Sequence, residues 1–216
     1  YSSTEMASSA LVLNVFVAGI AAISFWRAGF FSMRFIAPFL IGSIPFAFIG
    51  GWLKVSPHTY SGLLASALII AAFRLFSWNG DGRAESLAAP RFRSGLARLN
   101  AVPVMIGSGI GFVSGVVGVG GGIFLSPLLL MFRWASVKQT AAVSAFFIVI
   151  NSLAGVFGRV VAGQWNPSLV VPFVLPAVLG GIAGSWLGAH KFSSLALRRL
   201  LAIVLLVAAW KALRLA

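Results

Sequence analysis

Four of the five residues from Gly118 to Gly122 are glycine, and Ser126-Pro127 follows inside an otherwise apolar run. Glycine costs about 1 kcal/mol per helical position relative to alanine. Proline removes a further backbone hydrogen bond. A helix entering this stretch is expected to break near 118–122 and to resume toward Met131. The restarting half-helix has amides with no partner in their own helix, at the positive end of its dipole. Such an end holds an anion without a fully buried lysine or arginine. Gly118, Gly120, Gly121, Gly122, Ser126 and Pro127 are therefore candidates for substrate binding. The competing reading is close helix packing. We assign that reading to two other ladders with i+4 spacing, Gly107-Gly111-Gly115 and Gly180-Gly184-Gly188. A dinucleotide fingerprint starting at Gly118 would need glycine at Ile123, and no Lys-Ser/Thr follows to make a P-loop.

The remaining polar candidates are few. Asn14 and Asn151 occupy matching mid-helix positions. In lipid such a residue must face the bundle interior, either at a binding site or in interhelical hydrogen bonds. Ser144, Ser126 and Ser152 carry hydroxyls able to donate to an anion, although serine in such helices often bonds its own i−4 carbonyl. Arg159 either binds an anion at the mouth of a pathway or snorkels to the membrane interface. Glu5 is the one acid near a membrane segment, as a proton carrier or as the partner in a helix N-cap. His58 and His190 stand singly at segment ends, and the chain has no cysteine. Neither a metal site nor thiol chemistry is expected. The apolar runs hold no acid, His or Cys cluster, and Phe112-Val113-Ser114-Gly115 lacks the leading glycine of an intramembrane protease. We expect no enzyme activity and no cofactor.

The elements that must position these residues are membrane helices. The 216 residues are 60% hydrophobic and 9% charged, too little polar surface to coat a soluble globule. A bilayer-crossing helix needs about 20 mainly apolar residues. Segments near 5–26, 33–53, 59–76, 101–132, 139–161, 168–189 and 195–215 answer to that description. The last is flanked by Arg198, Arg199, Lys211 and Arg214, which can snorkel. Runs this long and apolar mean helices rather than a barrel. Trp26, Trp52, Trp78, Trp134, Trp165, Trp186 and Trp210 all fall near segment ends, where indole meets the headgroups. The fold class is all-α, a polytopic helical membrane protein.

Sixteen basic against three acidic residues leave a net charge of +13. The long polar stretch Ser77–Asn100, with Arg83, Arg91, Arg93 and Arg98, reads as a cytoplasmic linker, not as a nucleic-acid surface. The segment 101–132 is too long for one straight span and short for two. If it is a kinked span, Lys and Arg divide 10 to 6 between the two sides; if a re-entrant hairpin, 12 to 4. The second division obeys the positive-inside rule better and favours the hairpin.

The chain also repeats itself. Ser8 to Asn14 resembles Val143 to Asn151, Pro38 corresponds to Pro172, and Gly50-Gly51-Trp52-Leu53 corresponds to Gly184-Ser185-Trp186-Leu187. The expected organisation is a first repeat at 1–76, the linker at 77–100 and a second repeat at 101–216. The glycine-rich segment has no counterpart in the first repeat, and Ser2 to Glu5 reads as a helix-capping box. The expectation is a missing N-terminal piece of roughly 30 to 40 residues, if the repeats match in length.

The Gly-x-Gly-Gly-Gly stretch before Pro127, followed by the Asn-containing helix from Ser144 to Gly155, resembles the sulfite exporter TauE/SafE family of membrane transporters. The resemblance spans the whole chain as two related halves. It implies a transporter of sulfite, sulfonates or other sulfur-containing anions in a bacterial inner membrane. The residues themselves also point to transport, because repeat-built helical membrane proteins place a site at broken helices near the midplane. The expected partners are a small anion and the lipid bilayer, with no nucleic acid; assembly as a homo-oligomer is left open. The alternative is a non-catalytic membrane subunit of a larger transport assembly.

Overall fold

The computed structural model describes residues 3–54, 101–132, 134–164 and 170–190, with single positions between 56 and 73 and between 203 and 210. Among the described residues every regular element is a helix: α1 (Ser3–Arg27), α2 (Met33–Trp52), α3 (Ala101–Val117), α4 (Gly122–Met131), α5 (Val137–Val161) and α6 (Val171–His190). The expected segments 59–76 and 195–215, the Ser77–Asn100 linker and the start of the Ser2–Glu5 capping box lie outside the described residues.

The helix limits follow local chemistry. α1 carries no charge between Glu5 and Arg27, and the chain leaves it at Gly29, whose φ is 76°. α5 starts on a capping box: the Ser136 hydroxyl accepts from the Gln139 amide while the Gln139 side chain accepts from the Ser136 amide. That box satisfies two otherwise orphan donors at the first turn. α1, α2 and α5 are each long and apolar enough to cross a bilayer. Their outward faces present Phe16, Ile23, Ile41, Phe46, Leu153 and Phe157. Such a surface suits hydrocarbon and would associate in water. Trp26 and Trp52 stand exposed at the ends of α1 and α2, where the headgroups lie. The chain is a polytopic helical membrane protein.

α2 is the central post. Gly107, Gly111 and Gly115 of α3 press against the carbonyls of Phe39, Ser43 and Ala47 in turn. The pairs advance together along both helices, so α2 and α3 run parallel. Gly51 and Gly158 make the same kind of backbone approach between α2 and α5, against Gly155 and Phe48. Small residues let backbones meet where lipid gives no hydrophobic drive to associate. The expected packing role of the first glycine ladder is thus observed. On α6, Gly180 and Gly184 meet nothing among the described residues; Gly181 instead faces Val17 of α1.

The segment 101–132 folds back on itself. α3 rises 17 residues, about 25 Å, and ends at Val117. Four residues later a Cβ on Gly121 would lie 3.0 Å from Ile110 Cγ2, back at mid-α3. α4 then descends antiparallel to α5: Gly122 lies against Ile148, and Ser126 reaches Ser144. Leu125 and Leu129 join Phe35, Phe39, Ile110, Val143 and Phe147 in one buried core. With 10 residues, α4 covers about 15 Å, half a hydrocarbon core. This is the re-entrant hairpin, and α2, α3 and α5 consequently all start from one side.

Candidate functional site

The hairpin tip is built from backbone that only glycine takes up freely. Gly118, Gly120 and Gly121 have φ of 81°, 74° and 78°, so three residues in four stand in the left-handed region. An L-side chain there costs roughly 1–2 kcal/mol per residue. The break falls where expected, and the second helix resumes at once, at Gly122. Phe124 and Leu125 amides bond the Gly121 carbonyl, so the amides ahead of them head α4 without an intrahelical acceptor. Pro127 within α4 leaves the Ile123 carbonyl without its i+4 donor.

Side chains from α1 and α5 close on this tip at about the middle of both spans. Asn14 Nδ2 donates to the Gly118 carbonyl at 3.3 Å. A Cβ on Gly120 would lie 2.7 Å from Ile148 Cγ2, 2.9 Å from Ser152 Oγ and 3.3 Å from Asn14 Nδ2. Ser152 is fully buried, and its hydroxyl has no hydrogen-bond partner among the described residues. A buried polar group without a partner costs about 1–3 kcal/mol, and this one lies beside Gly120, in the turn ahead of α4. Ser126 Oγ donates to Ser144 Oγ at 2.7 Å, pinning α4 to α5 instead of bonding back into its own helix.

The two asparagines do different work. Asn14 reaches across to the hairpin. Asn151, fully buried, donates from Nδ2 to its own Phe147 carbonyl at 2.9 Å, while its Oδ1 has no partner. The residues thus gathered at the tip are Asn14, Gly118, Gly120, Gly121, Gly122 and Ser152. Ser126 and Pro127 lie farther down α4, with Ser144 of α5 opposite Ser126.

Arg159 does not snorkel. It is 2% exposed, and Nη2 donates to the carbonyls of Gly115 at 3.0 Å and Val116 at 2.9 Å. These are among the last carbonyls of α3, which have no intrahelical donor. The interfacial alternative fails because the hairpin brings that helix end within reach. The carbonyls of Gly115 and Val116 are partners that the sequence reading missed, as is the buried Ser114 hydroxyl on the same turn, which has no partner. No group of three or more His, Cys, Asp or Glu that could hold a metal occurs among the described residues.

A bundle of apolar helices enclosing a glycine-broken hairpin with orphan polar groups at its tip defines a class, that of helical membrane transport proteins. A family model described as "Sulfite exporter TauE/SafE" matches residues 2–212, and the chain belongs to that family. It is 30% identical to a "Probable membrane transporter protein y4hK" of Sinorhizobium fredii, over 99% of this chain and 84% of that protein. A "Probable membrane transporter protein" of Haemophilus influenzae is 37% identical over 36% of this chain and 30% of its own. A third relative, "Probable membrane transporter protein YunE" of Bacillus subtilis, is 28% identical over 39% of this chain and 31% of its own. No solved structure matches the chain.

Proposed function

We propose that the chain is a secondary transporter of a small anion, with sulfite, a sulfonate or another sulfur-containing oxyanion as cargo, acting in a bacterial inner membrane. One observation carries this reading. The turn that leads into α4 lies beside the middle of α1 and α5, and the buried Ser152 hydroxyl lies against Gly120 of that turn with no partner among the described residues. Unpaired amides, the positive end of a helix dipole and a hydroxyl donor suit an oxyanion that offers several acceptor oxygens. The family description supplies the sulfur chemistry.

In this reading Asn14 holds the turn open through Gly118, and Ser152 donates to the anion. Gly120, Gly121 and Gly122 let its oxygens approach the backbone. Release to the other side follows from the tip shifting against α1 and α5, and the driving force is an ion or substrate gradient. The pseudo-repeated halves fit alternating access by rocking. The test is flux in proteoliposomes loaded with labelled sulfite, a sulfonate or thiosulfate. Saturable flux of at least one is expected. Folded protein that moves none of them would overturn the sulfur-anion assignment.

A further inference from the structure

Broken membrane helices present two opposite poles. The N-terminal end of one half attracts an anion, and the C-terminal end of the other presents bare carbonyls that commonly hold a coupling cation. Here the anion-facing pole is the head of α4. The opposite pole is the end of α3, where Gly118 has left the helix and the carbonyls of Gly115 and Val116 lack intrahelical donors. That pole is filled. One nitrogen of the Arg159 guanidinium donates to both carbonyls, and the side chain is buried with them.

We propose that Arg159 is a resident cation, occupying the place at the end of α3 where a mobile coupling ion would otherwise bind. Its charge neutralises the negative end of α3 and fixes the turn that carries the anion-facing amides of α4. It acts as a positioning residue: it holds Gly115 and Val116, and through them the tip, without belonging to the amide and hydroxyl set that faces the anion. An ion tethered to α5 cannot leave with the cargo. The C-terminal pole of α3 therefore contributes no ion coupling in the native chain, and it becomes a cation site when the side chain is removed.

Because this rests on the transporter reading only for flux, the experiment has a binding arm that does not need transport. Full-length Arg159→Ala and Arg159→Gln proteins are melted in detergent in guanidinium, sodium or choline chloride at equal low concentration. Both variants are expected to melt below wild type. Guanidinium should raise the Arg159→Ala midpoint while leaving wild type unmoved, and choline should move neither. Equal shifts in variant and wild type, or no shift in a folded Arg159→Ala, would overturn the proposal. If Arg159→Ala does not fold, Arg159→Gln keeps one neutral donor and serves in its place.

The flux arm uses labelled sulfite. Arg159→Gln is expected to be at least tenfold slower than wild type and to recover several-fold in guanidinium, while Arg159→Lys stays within about threefold, scaled from charge-assisted bonds of about 1.5–3 kcal/mol. A folded Arg159→Gln as fast as wild type would overturn the proposal. No sulfite flux in wild type, with the melting pattern intact, would strike the cargo assignment and leave the resident cation standing.

Discussion

Gly120 is the residue whose replacement speaks most directly to the site. An alanine there must hold a φ of 74° and place its Cβ against Ile148 and Ser152. Strain of about 1–2 kcal/mol from the backbone, plus overpacking of about 1–3 kcal/mol, converts to at least a tenfold loss of flux. Gly109→Ala, on a face of α3 where nothing among the described residues lies within 4 Å, should leave flux unchanged. Gly121→Leu meets both Phe147 and Ile110 and should abolish flux; wild-type rates in that variant would reduce the break to packing. Ser152→Ala removes a buried donor with no protein partner. Its expected signature is a KM for the anion raised several-fold, with stability unchanged or improved. The glycine break was legible at this scale because glycine and proline act on the backbone directly. The partners of Arg159 were not, since a carbonyl is the same at every residue and only the fold selects Gly115 and Val116.

Helices carry the next level of argument. The limits of α1, α2 and α5 lie within two residues of the expected segments, because long charge-free runs fix them, with Arg27 and Trp52 marking the ends of α1 and α2. α5 starts two residues earlier than expected because Ser136-Val137-Lys138-Gln139 forms a capping box. Which glycines pack was only half legible: spacing identified the α3 ladder, and the same spacing on α6 has no described partner. Gly111→Val would drive two methyls into the Ser43 backbone of α2. Its expected result is a lower melting midpoint than that of Gly109→Val, which carries the same propensity loss without the clash. Equal midpoints would mean that the α2–α3 seam tolerates separation.

At the level of the whole molecule the decisive feature is the fold-back between α3 and α4. It returns the chain to its starting side and makes the loops after Arg27 and Met131 neighbours in topology. Residue counting alone left a kinked span and a hairpin both open, and charge balance favoured the hairpin; three-dimensional contact of Gly121 with Ile110 decides between them. The chain has no cysteine, so single cysteines introduced at Ala28, Ala135 and Gly163 report without background. A membrane-impermeant thiol reagent should label the first two from the same side and the third from the other. Labelling of positions 28 and 135 from opposite sides would rule out the hairpin. A reporter fused after Ala216 should lie opposite the 77–100 linker.

The fold-back also sets an order of biogenesis. The seat of α3 is α2, made before it, whereas the seat of α4 is α5, made after it. A ten-residue helix cannot cross the bilayer alone, and its tip exposes backbone that lipid does not solvate. As the nascent chain emerges, α4 can meet Phe35, Phe39 and Ile110 but lacks the rest of its seat until Val137–Val161 follows. Chains stalled after residue 132 should therefore be held by the insertion machinery or degraded, and chains stalled after residue 164 should be protected from protease. The same glycines that open the tip thus make the protein depend on a helix not yet synthesised.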